Sequence, residues 1–101
     1  MNDAAYQVKV DKGLADLIPT FMNNRKKELE ALRAALAAAD FEQLRHLGHR
    51  MRGVGNSYGF ERVSDIGRNI EEGAKTGDKT GLEQQIANYG DYLSRVQIAY
   101  E

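Results

Sequence analysis

The chain has 101 residues, with 14 lysines and arginines, 15 aspartates and glutamates and a formal net charge of −1 at pH 7. This length fits one domain spanning residues 1–101, and the charge balance argues against a nucleic-acid partner. The chain has no cysteine, which excludes disulfides. It also has no apolar run of the roughly 18 residues that cross a membrane, which argues against a membrane partner. The absence of a secretory signal and of cysteine favours a cytoplasmic protein.

The first half of the chain predicts helices after a short irregular start. Residues 1–10 fit an extended arm, because polar and apolar residues alternate there only briefly. Asp11 can cap a short helix, which Pro19 interrupts because proline lacks the N–H that a helix interior needs. A longer helix is expected over residues 20–38, with apolar side chains and the stem of Arg25 at helical spacing.

The second half predicts three more helices. Asp40 is a good N-cap for the third predicted helix, and the fourth is expected over residues 61–74. The glycine-rich stretch 73–81 indicates a loop, after which Thr80 and Glu83 have the spacing of a capping box. The last helix then carries the apolar residues Leu82, Ile86, Tyr89, Leu93, Val96 and Tyr100. The predicted fold is all-α: an up-and-down antiparallel four-helix bundle with a short additional N-terminal helix and no strands.

The third helix contains three glycines, and each interior glycine costs about 1 kcal/mol relative to alanine. At about 100° per residue, Gly48, Met51 and Gly55 lie on the core stripe, where a missing side chain lets a neighbouring helix approach closely. His49 and Gly53 face away from that stripe. A solvent-facing glycine has no packing role inside the domain, but it leaves room for another protein near the histidine.

Charge points to the same surface. The stretch from Arg45 to Arg52 contains three arginines, two histidines and no acids, in a chain with a net negative charge. Such arginines can simply keep a surface helix soluble. Their coincidence with an exposed histidine and an exposed glycine favours a functional surface instead.

The sequence from His49 onward resembles the histidine-containing phosphotransfer (HPt) domains of two-component phosphorelays. Their motif is a histidine followed by leucine two residues later, lysine three later, glycine four later and often a second glycine ten later. Here His49 is followed at those positions by Met51, Arg52, Gly53 and Gly59. The similarity extends over about residues 14–93. Met51 for leucine is a tolerable substitution at a buried position, whereas Arg52 keeps the charge of lysine but not its shape.

The resemblance implies a histidine phosphocarrier rather than an enzyme. His49 would accept a phosphoryl group from a receiver-domain aspartate or a histidine kinase and pass it on. The chain would need no cofactor, because the partner receiver brings the acidic pocket and Mg²⁺. Arg45, Arg50, Arg52, Gly53 and Asn56 would meet the partner or stabilise the phosphate, and the arginines would favour the neutral imidazole.

Other interpretations remain open. His46 is a rival acceptor, but the residues that follow it do not fit the motif. Glu42, His46 and His49 share one face and could offer a metal three ligands, although the nearby arginines repel a cation and no metal site is predicted. The better alternative is a helical docking or adaptor module that binds a signalling partner without accepting phosphate. The remaining acids, Glu61, Asp65, Glu71 and Glu72, are interpreted as a solvated helix face.

Overall fold

The structure is a computed structural model that describes residues 6–101. Residues 1–5 of the predicted arm lie outside the described part. The elements are β1 (Gln7–Val10), a 3₁₀ helix (Lys12–Leu17), α1 (Ile18–Ala37), α2 (Phe41–Ser57), α3 (Glu61–Thr76), α4 (Lys79–Arg95) and β2 (Gln97–Tyr100). The chain is thus mostly helical, as predicted, and its four helices form a bundle. Their antiparallel order stays a prediction.

The two strands correct the expectation that the fold has none. β1 pairs in parallel with β2, so that Val8 lies opposite Ile98 and Val10 opposite Tyr100. Val10 is almost completely buried, which gives this strand an anchor in the core. Helix α4 therefore ends at Arg95, and Tyr100 lies on β2 and is about half exposed instead of extending the last helical stripe.

The segment before α1 differs from the predicted short helix. Asp11 does cap it, since its side chain accepts a hydrogen bond from the Gly13 N–H, but the segment is a 3₁₀ helix that runs directly into α1. Pro19 lies in the first turn of α1 and not at a break, because the N–H that proline lacks is unsatisfied there in any case. A separate N-terminal α-helix is not confirmed.

The connection between α3 and α4 is much shorter than the predicted loop over residues 73–81. Helix α3 continues to Thr76, and Gly77 closes it with a φ of 69°, a left-handed conformation that glycine adopts without strain. Asp78 then caps α4 by accepting a hydrogen bond from the Gly81 N–H. The capping box predicted at Thr80 was therefore wrong, since the N-cap is Asp78, two residues earlier, and Gly81 has no side chain to complete a box.

The core is formed by the apolar stripes of all four helices, together with Val10 and Phe60. Its largest fully buried side chains are Tyr89, Tyr92, Phe60, Leu32, Leu44, Met51, Ile70 and Leu82. Of the six apolar residues that the helical periodicity assigned to the last helix, Leu82, Ile86, Tyr89 and Leu93 are buried. Within residues 6–101, no helix is both long enough and apolar enough to span a bilayer.

Candidate functional site

His49 lies in the middle of α2 with its imidazole on the surface. Its side chain is 68% exposed, while the preceding Gly48 and the following Met51 are buried. This difference follows from the helical repeat, which turns successive residues by about 100° and places Gly48 and Met51 on the core stripe but His49 outside it. The prediction that His49 faces away from the core is confirmed.

The ring of His49 is held from the neighbouring helix. Its Nδ1 lies 3.1 Å from Oε2 of Glu71, which comes from α3 and is 22 residues away in the chain. The other carboxylate oxygen, Oε1, accepts a hydrogen bond of 3.0 Å from Nη1 of Arg52. The Glu71 side chain is only 6% exposed. The prediction that Glu71 belongs to a solvated helix face was therefore wrong, because this carboxylate lies in the α2–α3 interface.

Closely packed glycines bring the two helices near enough for this contact. A Cβ added at Gly48 would lie 2.7 Å from both the backbone nitrogen of Glu71 and the backbone oxygen of Gly67, which is too close for a normal contact. A Cβ added at Gly67 would likewise be too close to Met51, and one added at Gly55 would be too close to Phe60 and Ser64. The prediction that Gly48 and Gly55 permit close helix packing is confirmed. The unfavourable helix propensity of these glycines is offset by the interface that they allow.

The charge state of Glu71 decides which nitrogen of His49 carries a proton. Burial raises the pKa of Glu71, but hydrogen bonds from Arg52 and His49 outweigh it, so that the pKa lies below its usual value. Glu71 is therefore an ionised carboxylate at neutral pH and can only accept hydrogen bonds. The hydrogen bond then requires a proton on Nδ1. In the neutral ring this leaves the lone pair on Nε2, which has no hydrogen-bond partner among residues 6–101.

The three predicted arginines lie in different surroundings. Arg52 is bound to Glu71, and Arg45 forms an ion pair with Glu42, the acid that lies just outside the basic stretch. Both side chains are partly exposed. Arg50 is exposed and lies on the side of α2 that faces α1, with no ion pair within 4.0 Å in the described part of the chain. The surface around His49 is thus less uniformly basic than the sequence indicated, because Glu42 and Glu71 each accompany an arginine.

The other predicted site residues fall into an exposed group and a structural group. A Cβ added at Gly53 would meet no atom within 4 Å, so the surface one turn after His49 is open. The Asn56 side chain is exposed, whereas its backbone N–H donates to Ser64 Oγ at 2.9 Å. Met51 is fully buried. Gly59 has a φ of 85° in the turn between α2 and α3, which explains a glycine at this position.

His46 is exposed and takes part in a separate contact. Its Nε2 lies 3.3 Å from Oε1 of Glu42, one turn earlier on the same helix. His49 is directed to Glu71 instead, so the structure does not bring Glu42, His46 and His49 together. Within residues 6–101, no group of three or more histidine, cysteine, aspartate or glutamate side chains is placed to hold a metal ion.

Glu71 is the site residue that the sequence analysis missed. A signal was present, because Glu71 follows the buried Ile70 and lies four residues after Gly67, at the edge of the apolar stripe of α3. A carboxylate at the edge of a core stripe is unusual unless it is paired. Its partners come from α2, so only the packing of the two helices identifies them.

The fold and site define a helical-bundle protein that displays an exposed imidazole, held by a buried carboxylate, on an open helix surface. A family model described as "Hpt domain" matches residues 16–99, nearly the whole chain, and the chain belongs to this family. Hpt domains are phosphotransfer modules of two-component signalling and act as carriers rather than catalysts. Comparison with curated proteins and with solved structures gave no match.

Proposed function

We propose that this protein is a histidine phosphocarrier in a two-component phosphorelay and that His49 Nε2 is the phosphoryl acceptor. One observation carries the proposal: Glu71 binds Nδ1 of a ring that is 68% exposed, which directs the free lone pair on Nε2 toward solvent. A neutral imidazole nitrogen is a competent nucleophile near neutral pH. The partners would be a response-regulator receiver domain, a histidine kinase, or both.

In the proposed reaction, the Nε2 lone pair attacks the phosphorus of a receiver phospho-aspartate. The P–N bond forms as the P–O bond to the aspartate breaks, and the aspartate carboxylate leaves with the bonding electrons. The ring gains positive charge during attack, and the Glu71 carboxylate at Nδ1 stabilises that charge. The receiver supplies Mg²⁺, so this chain contributes position and charge and not a metal site.

The surrounding residues fit contact with an acidic partner. Gly53 leaves the approach to the ring open, and Asn56 is exposed one turn of helix later than Arg52. Arg45, Arg50 and Arg52 would attract the acidic pocket of a receiver and speed encounter. Arg52, about half exposed, can also share its guanidinium between Glu71 and a phosphoryl group on the ring. Met51 and Gly59 support the helix and the turn.

The test is phosphotransfer from a panel of receiver domains carrying labelled phosphate, in the presence of Mg²⁺. Wild type and His46→Gln should become labelled at equal rates. His49→Gln should incorporate about 100-fold less label than wild type, since it lacks the nucleophile. Because His46 is also an exposed histidine on α2, its variant is the matched control. Circular dichroism should show the same helicity for all three proteins.

Two results would contradict the proposal. Equal labelling of His49→Gln and wild type would remove His49 as the acceptor. Stable binding of a receiver by wild type, with no label transferred in either direction, would favour the docking or adaptor module instead.

A further inference from the structure

A second polar site lies between α1 and α2, on the side of α2 away from Glu71. It is a cavity of about 400 Å³, and its polar lining comes from Asn24, Arg25, Lys27, Glu28 and Arg50. Such a volume falls within the range of small-molecule sites. The proposed phosphotransfer at His49 uses only Arg50 of these residues, so the cavity calls for its own explanation.

Arg25 is the unusual member of this set. The sequence predicted that only its stem would be covered, yet the whole side chain is 8% exposed, and its guanidinium lies 4.8 Å from the centre of the Phe21 ring. Its Nε is 3.2 Å from Glu28 Oε1, close enough for an ion pair. However, neither Nε nor Nη1 has a hydrogen-bond partner within residues 6–101. Both atoms are shielded from solvent, so the Arg25 charge is compensated mainly by Glu28, and an anion in the cavity would add to that compensation.

The charges of the cavity favour an anion. Lys27 and Arg50 are exposed and add two positive charges to that of Arg25. The single carboxylate, Glu28, is already engaged, because its Oε1 accepts a 2.8 Å hydrogen bond from the buried Tyr89 hydroxyl and lies beside Arg25. Three cations against one carboxylate leave an excess of two positive charges, which matches a dianion.

We propose that this cavity is a binding site for a small dianion that carries a phosphate group or two carboxylates. Guanidinium groups bind both kinds of oxyanion through paired N–H donors, and an ammonium adds a point charge. Arg25 and Arg50 approach the site from two different helices, and Lys27 and the Asn24 amide line its rim. The proposal does not depend on phosphotransfer, because His49 is not part of the cavity.

The test is a ¹H–¹⁵N NMR titration of the whole chain with inorganic phosphate and, separately, with succinate. Sodium chloride keeps the ionic strength constant at pH 8. The amides around residues 24–31 and 47–50 should shift and reach saturation with at least one of the two anions. Tighter binding of phosphate would assign the site to phosphate compounds, and tighter binding of succinate would assign it to dicarboxylates.

Variants separate this site from general attraction to a basic surface. Lys27→Gln and Arg50→Gln should each weaken binding at least fivefold, and both lie at exposed positions where the fold tolerates the change. Lys26→Gln removes the same charge from the preceding residue of α1, which lines a different cavity, and should change affinity less than twofold. His49→Gln should bind as wild type does, so that loss of phosphotransfer and loss of anion binding are distinguishable.

The proposal is overturned if both anions cause only the linear, unsaturated shifts that chloride causes at equal ionic strength. It is also overturned if Lys26→Gln weakens binding as much as Lys27→Gln, because charge alone would then explain the attraction.

Discussion

Glu71 holds the imidazole of His49 across the α2–α3 interface, with 3.1 Å between Oε2 and Nδ1. The carboxylate is buried and the imidazole is exposed, so a buried group of α3 holds a side chain at the surface of α2. Hydrogen bonds of this kind set both the tautomer and the orientation of a histidine ring.

Glu71→Ala should release the His49 ring without removing the proposed nucleophile. Because Nδ1 loses its acceptor, the proton is free to reside on Nε2, and the ring loses its fixed orientation. We expect the Nδ1-protonated tautomer to lose its dominance and phosphotransfer to slow by roughly tenfold or more. The tautomer is measured from ¹⁵N chemical shifts of the imidazole, and transfer is measured from receiver labelling.

The control for this variant is Glu72→Ala, which removes the neighbouring exposed carboxylate. It should leave both the tautomer and the transfer rate unchanged. An unaltered ¹⁵N pattern in Glu71→Ala would show that this hydrogen bond does not control the ring.

The lowered pKa of Glu71 predicts a pH dependence of stability. Its folded-state pKa lies below the unfolded value of about 4.3, so the folded state binds this proton less readily. The stabilisation is therefore fully present above the unfolded pKa and is lost as pH falls through the folded pKa. We expect the difference in free energy of unfolding between wild type and Glu71→Gln to shrink from pH 6 to pH 3.

Urea denaturation at several pH values measures this difference. Glu72→Gln is the matched comparison, and its difference from wild type should vary less, since exposed ion pairs contribute little. A difference between wild type and Glu71→Gln that stays constant from pH 6 to pH 3 would contradict the assigned ionisation of Glu71.

Two alanine substitutions should have opposite effects, although both replace a glycine in α2. Gly53→Ala adds a methyl group in open space and should stabilise the fold by about 0.5–1 kcal/mol through helix propensity. Gly48→Ala forces a Cβ against the backbone of α3 and should destabilise it by about 1–3 kcal/mol. Thermal unfolding checks both values.

Gly53→Arg extends this comparison to function. Its long side chain should obstruct a partner at His49 and reduce phosphotransfer while helicity stays near that of wild type. Unimpaired transfer by Gly53→Arg would show that the open surface after His49 has no role in docking.

Loss of helicity in Gly53→Ala would contradict the assignment of Gly53 to an open helix face.

Much of the architecture could be read from local signals in the sequence. The helical repeat assigned Gly48, Met51 and Gly55 to the interior and His49 to the surface, because side-chain direction within one helix follows directly from residue spacing. Asp11 and Asp40 marked helix starts for a similarly local reason, since each side chain caps backbone N–H groups two or three residues later.

The features that the sequence could not supply depend on partners that are distant in the chain. Val10 becomes a buried strand residue only because β2 lies beside β1 from the other end of the chain. Glu71 and Glu72 are the same residue type in adjacent positions, yet only Glu71 turns toward α2, where Arg52 and His49 offset the cost of its burial. Periodicity placed the imidazole at the surface, but helix packing decided which of its nitrogens is held by Glu71 and which has no such partner.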